Sequence, residues 1–342
     1  RGGFPRLAAR RAALVVTLVA AGAWLAPSSG AAAAEPWRAR ADAIRLAALA
    51  GRWEQAARDL ARWADEARRT GDAREAARAS VARARVMLER HSYHRRDPRG
   101  VERALLVAHA RARAAGDSAA FAEALHGLGR WAYGLRLEGL GDWEAVAARL
   151  DSARVLRERL PGAPGLAESY FYLGLVQQMT QHLDEAERWF GRALEEARAT
   201  DDLVEQSNAH RHLGFVRQIA GDLTVAREHY QASLRLRESA DAAVLVPFAR
   251  VLLAQFEVET GGDTAAAIAR LEEAGRVAQR SRSRRGAMSA AFMLADLQAA
   301  RGRLAAAGAA LQRAEAEARA YGDPAALQDA RRRRAALAGG PR

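Results

Sequence analysis

Tyr170-Phe171-Tyr172-Leu173-Gly174, followed by Ala186, Phe190 and Ala193, is the stretch that decides the fold. Forty residues on, Leu213-Gly214 is followed by Ala226, Tyr230 and Ser233-Leu234. Leu294-Ala295 is followed by Ala307, Leu311 and Ala314. Self-similarity at a period near forty residues is the signature of a stacked-repeat architecture. Small residues where two helices cross, with a large one a helical turn away, predict helix pairs rather than strands. Val and Ile runs are rare beyond the first thirty residues, which argues against sheets.

Working outward, the pattern of helix, short turn, helix and break predicts seven units: 38–71, 73–116, 118–161, 164–200, 203–240, 242–281 and 284–321. A last helix over 324–338 follows as a cap, with 339–342 as a tail. The breaks share one chemistry: Gly71-Asp72, Gly116-Asp117, Asp201-Asp202, Asp241 and Gly322-Asp323. Glycine ends a helix in the left-handed conformation, and aspartate caps the next. Turns inside units carry Gly51-Arg52-Trp53, Gly141-Asp142-Trp143, Gly221-Asp222-Leu223, Gly261-Gly262-Asp263 and Gly302-Arg303-Leu304.

This spacing resembles the tetratricopeptide repeat (TPR). Tyr170, Leu173, Gly174, Ala186, Phe190 and Ala193 match that family best, and His210, Leu213, Gly214, Ala226 and Tyr230 match next. Leu128-Gly129, Val146, Leu150 and Ala153 match with an insertion, and Gly51, Ala56 and Leu60 give half a match in the first unit. The units exceed the family's usual length, a form similar to repeats in bacterial regulators and in the N-terminal parts of CHAT proteases. The resemblance implies an all-α, right-handed superhelical solenoid of antiparallel helix pairs. It also implies that first-helix residues line a concave face. Those are Glu123, His126, Arg130 and Tyr133 in the third unit and Glu168, Phe171, Leu175 and Gln178 in the fourth. The fifth supplies Asn208, Arg211, Phe215 and Gln218, and the seventh Ser289, Phe292, Asp296 and Ala299. Amides pair with peptide backbone, aromatics take side chains and arginine grips carboxylates. Phe171, Gln178, Asn208, Arg211, Phe215, Gln218, His126 and Arg130 are therefore the expected protein- or peptide-binding residues.

Residues 1–34 read as a secretory signal. Arg6, Arg10 and Arg11 form a basic start, Ala12–Ala26 an apolar run, and Ala32-Ala33-Ala34 a small-residue cleavage site before Glu35. Fifteen helical residues span about 22 Å, short of the roughly 30 Å of a hydrocarbon core. A cleaved signal, no stable membrane span afterwards and a periplasmic or secreted bacterial protein are the expectation.

Composition narrows the chemistry. There is no cysteine, so no disulfide, thiolate metal site or cysteine nucleophile. All 53 basic residues are arginine, in keeping with GC-rich coding. Removing the leader's four arginines lowers the formal charge from +12 to +8. The remaining arginines are scattered among acids with little aromatic interleaving, so no nucleic-acid partner is expected. There is no phosphate loop, no Gly-x-Ser-x-Gly, no His-Glu-x-x-His and no kinase signature. His91-Ser92-Tyr93-His94, ahead of Arg95-Arg96-Asp97-Pro98, reads as a polar surface loop. No enzyme, cofactor or metal is expected. The function implied is an exported scaffold that binds a protein or peptide. The alternative is the sensor region of a larger extracytoplasmic enzyme, such as a CHAT-type protease. A self-associating assembly factor of the envelope is a third reading.

Overall fold

A computed structural model describes residues 36–94 and 98–339. The expected leader lies outside these residues. They form fifteen α-helices and no strand: α1 (Pro36–Leu49), α2 (Trp53–Thr70), α3 (Ala73–His94), α4 (Pro98–Ala114), α5 (Ser118–Leu137), α6 (Trp143–Glu158), α7 (Leu166–Met179), α8 (Leu183–Ala199), α9 (Leu203–Ile219), α10 (Leu223–Ser239), α11 (Val246–Glu259), α12 (Thr264–Arg280), α13 (Arg284–Ala300), α14 (Leu304–Tyr321) and α15 (Pro324–Gly339). Consecutive helices pack as antiparallel pairs, and each pair stacks on the next, so the chain is an all-α solenoid.

The caps follow the expected chemistry, with one substitution. Asp117, Asp142, Asp202, Asp222 and Asp263 each accept a backbone N–H in the first turn of the helix that follows. Gly116, at φ +61°, makes the left-handed turn ahead of Asp117. At the equivalent places Asp201 and Asp241 adopt that conformation themselves, at φ 53° and 52°. Aspartate tolerates it better than most side chains, because its short carboxylate bonds locally.

The repeated phrase is a packing device. A Cβ on Gly174 would lie 2.6 Å from the Phe190 ring, and one on Gly214 2.7 Å from the Tyr230 ring. The aromatic ring thus fills the notch above the glycine of its own unit. Phe190, fully buried, also reaches His212 of the next unit, 5.2 Å between ring centroids. Gly174→Ala forces the ring aside and should cost about 1–3 kcal/mol. Urea denaturation checks this, and an unchanged midpoint would refute the notch.

One region differs from the sequence reading, and one feature goes beyond it. His91–His94 is not a loop but the last turn of α3. Its polar tips carry ring bodies that pack: His94 lies edge-on to Trp53 at 5.0 Å, and Tyr93 lies 6.0 Å from Phe248. Secondly, the solenoid closes on itself. The carbonyl of Leu49 accepts the N–H of Val244 at 2.9 Å, and Arg52 pairs with Asp241 at 2.7 Å. Arg282 pairs with Glu54, and the Tyr321 hydroxyl donates to the Ser92 carbonyl at 3.1 Å. The first unit therefore abuts the sixth, and the second abuts the seventh. Gly51 sits in this seam: at φ +86°, its Cβ position would be 2.9 Å from the Ser281 Cα. One apolar cluster spans the closure, joining Trp37, Ile44 and Trp63 to Val204, Val244 and Leu245.

The cap is secured by charge. Arg331 and Arg334 of α15 both reach Glu315 of α14 at 3.0 Å, and Arg333 reaches Asp296 of α13 at 2.9 Å.

Candidate ligand-binding face on the inner wall

Closure turns the first helices of the units toward one another, so α1, α3, α5, α7, α9, α11 and α13 form an inner wall. Its N-terminal part is filled by a buried ion network. Glu168 of α7 accepts from Arg130 at 2.8 Å, lies 3.4 Å from Arg85 and 3.6 Å from Arg157, and has the His126 ring at 3.4 Å. Glu123 accepts from Arg157 at 2.6 Å and lies 3.0 Å from Arg85. Glu89 bridges Arg130 at 3.1 Å and Arg45 at 3.4 Å. Arg45 then crosses the interior to Glu205 of α9 at 2.8 Å, 160 residues away in sequence. All of these but Arg85 are nearly sealed from solvent.

The electrostatics follow from the count of partners. Burial alone would raise each carboxyl. The guanidiniums of Arg85, Arg130 and Arg45 reverse this at Glu168 and hold it well below the usual carboxylate range. Arg130 and Arg45 do the same for Glu89. Glu205 has one close guanidinium, and there burial wins and pushes the carboxyl up. His126, 1% exposed, is kept neutral by burial and by the neighbouring Arg157. Four arginines thus face four glutamates with charges in balance, and the network cross-links five units.

The eight expected binding residues separate into three groups. His126 and Arg130 belong to the ion network. Phe171 is buried among Tyr172, Phe190 and His212. Gln178, half-buried beside it, shares a hydrogen bond of 2.8 Å with the His212 ring. The third group lies on α9. Asn208 donates to Glu205 at 3.2 Å and accepts from Arg237 at 3.3 Å. Arg211 is half-buried and, among the described residues, carries no hydrogen bond or ion pair to a carboxylate. Phe215 is exposed, and Gln218 bridges Glu259 at 3.0 Å and the Tyr230 hydroxyl at 2.7 Å.

Several participants were missed from sequence. Arg45, Arg85 and Glu89 sit in units whose repeat phrase is blurred, so no register pointed to them. Arg157 and Arg237 come from second helices, exactly two units apart at 80 residues, and that spacing was a usable signal. His229 lies against His210 with their Nδ1 atoms 2.8 Å apart. Burial, then mutual repulsion, lowers the His210 ring to about 4. Among the described residues no group of three or more His, Asp or Glu could hold a metal ion. None of the described helices is long and apolar enough to cross a membrane.

No family model and no curated protein matches this chain. Solved structures do. A Rap protein complexed with competence and sporulation factor is similar, with a TM-score of 0.66 and 13% identity over 86% of this chain and 80% of that one. NprR in complex with its cognate peptide NprX gives 0.56 and 14% identity, covering 91% and 87%. Aspartyl phosphate phosphatase F from Bacillus subtilis gives 0.56 and 12%, covering 92% and 82%. At these identities the likeness establishes the fold, a TPR-like helical-repeat solenoid.

Proposed function

We propose that this chain is an exported, non-catalytic scaffold that holds a protein or peptide on its inner wall, chiefly along α7 and α9. The observation that carries the reading is the contrast along that wall. The N-terminal part is saturated with internal ion pairs, whereas α9 keeps a half-buried arginine without an acid and an exposed phenylalanine one turn on. Arginine and aromatic anchors beside hydrogen-bonding amides are the groups that extended peptides engage. The similar Rap and NprR structures are complexes with competence and sporulation factor and with a cognate peptide, which supports a protein or peptide ligand for a chain of this fold. Residues 1–34 supply the export reading.

A peptide-library pull-down with the full chain tests the scaffold. Wild type should enrich a defined subset, and Arg211→Ala with Phe215→Ala should lose it. Equal enrichment by the double variant would sink the inner-wall assignment. Export is tested separately, by fusing residues 1–34 to a reporter active only outside the cytoplasm. A silent fusion would end that part of the proposal.

A further inference from the structure

The helix pair of the fifth unit brings together two histidines nineteen residues apart in sequence. His210 of α9 and His229 of α10 have their Nδ1 atoms 2.8 Å apart, their ring centroids 5.0 Å apart and their ring planes tilted by 48°. Both rings are half-buried, so one side of the pair meets solvent. The helices that carry them are locked together. Ala209 and Leu213 of α9 and Ala226 and Tyr230 of α10 are buried, and the Tyr230 ring fills the notch over Gly214. The two nitrogens are thus held near each other by the packing that defines the repeat.

Two neutral imidazoles can share one proton between facing Nδ1 atoms, whereas two charged ones repel at this distance. Burial, then His229, Arg198 and Arg235, lowers His210 to about 4. Burial, then Arg217, lowers His229 against the opposing pull of Glu228 and Glu187. Arg217 is itself paired with Glu187. At neutral pH both rings are therefore free bases, the form that ligates a metal. When a metal takes both Nδ1 atoms, the shared proton passes through solvent to the Nε2 of its own ring. No net proton is released.

Imidazole nitrogen suits zinc, copper and nickel, and geometry separates them. Two nitrogens bonded at about 2.0 Å to one ion lie about 2.8 Å apart at the right angle of tetragonal copper(II) or nickel(II), and about 3.3 Å apart at the tetrahedral angle of zinc. The 2.8 Å between His210 and His229 matches the right angle. The rings meet nearly head-on. Turning each about its Cβ–Cγ bond, a broad torsion, aims both lone pairs at a point beside the line that joins them. The pair supplies two ligands, fewer than a closed structural site needs, and water from the exposed side completes the coordination.

We infer that His210 and His229 form a chelating site for a divalent late transition metal of right-angled geometry, copper(II) ahead of nickel(II). Bound there, the ion bridges α9 to α10 and stabilises the fifth unit, because unfolding separates the two rings. This inference does not depend on the scaffold reading.

Calorimetric titration of the tag-free full chain with copper(II), nickel(II) and zinc(II) chloride at pH 7.5 tests it, together with electron paramagnetic resonance of the copper-loaded chain. One copper per chain is expected, with hyperfine coupling to two imidazole nitrogens, and nickel should bind more tightly than zinc. His210→Ala and His229→Ala should each weaken copper binding at least about tenfold. His182→Ala, at an exposed histidine that caps α8, should leave it unchanged. Absence of copper binding, an undiminished affinity in either folded variant, or coupling to a single nitrogen overturns the site. An equal loss in His182→Ala assigns the copper to scattered surface histidines and overturns it as well. Zinc bound more tightly than nickel overturns the right-angled assignment.

Discussion

Glu168→Ala is expected to destabilise the protein by about 3–5 kcal/mol, the range for removing one partner of a buried ion pair. The carboxylate is 2% exposed and faces Arg85, Arg130, Arg157 and the His126 ring. Removal leaves three guanidiniums converging on an empty place, with Glu89, Glu123 and the more exposed Asp42 left to hold them. A domain is typically stable by only about 5–15 kcal/mol, so much of the margin is at stake. Urea denaturation gives the number. Arg45→Met is the informative companion, because it cuts the strut from α1 to Glu205 while leaving the Glu168 cluster intact. It should loosen the closure, seen as a larger radius of gyration in small-angle scattering. A Glu168→Ala loss below about 1 kcal/mol would mean that water relaxes into the network and that its buried charges are not what holds these units together.

Acid should weaken the fold well above the carboxylate range, and this is the second large effect. His126 and His212 are both held well below 6.5, by burial first and then by neighbouring arginines. The unfolded chain therefore binds protons at these two residues before the folded one does. Stability is unaffected above about pH 7 and falls as pH drops below 6.5, by about 1.4 kcal/mol per pH unit for each ring. Between pH 6.5 and 4.5 these two rings together remove about 5 kcal/mol, and the His210 ring, lowered to about 4, adds to the loss over the same window. The depressed carboxyls Glu89, Glu123 and Glu168 add their own loss only below about pH 4.5. Glu205 and Asp42 are raised and act the other way over the top of the carboxylate range. Denaturation at pH 7.5, 6.0 and 5.0 should show the slope, and His126→Gln should make it shallower by about 1.4 kcal/mol per pH unit. A flat profile between pH 7 and 5 would show that these rings are protonated in the native state.

The fold was legible because its packing residues repeat. Gly174 with Phe190 and Gly214 with Tyr230 are contacts within a unit, and a period in sequence reports such contacts directly. Glu123, His126, Arg130 and Glu168, placed on a concave face by the resemblance to the tetratricopeptide repeat, do converge on one another. What period cannot report is contact between distant units. Nothing near Arg45 predicts Glu205, and nothing in Leu49 predicts a hydrogen bond from Val244. The pitch that brings them together is set by small rotations accumulated over five units. His91–His94 was misread because polar residues before a proline look like a loop. There the ring bodies of Tyr93 and His94 are consumed by contacts with Phe248 and Trp53, which lie far away in sequence. The binding residues proved hardest to separate, since register gives inward direction but not whether a neighbour already satisfies the group.

Closure also sets an order in time. An open repeat array can fold unit by unit as it emerges during synthesis, since each unit needs only its neighbour. Here α1 is made first, yet Arg45 finds its acceptor only 160 residues later, and Glu54 meets Arg282 after 228. At about 5–20 residues per second, the first unit waits about 10–30 s for Glu205 alone. Over that interval Trp37 and Ile44 lack the Val204–Leu245 side of their core. The earliest-made of these fifteen helices are thus the last to be secured, and the nascent α1–α2 hairpin is a stretch in need of protection by a chaperone.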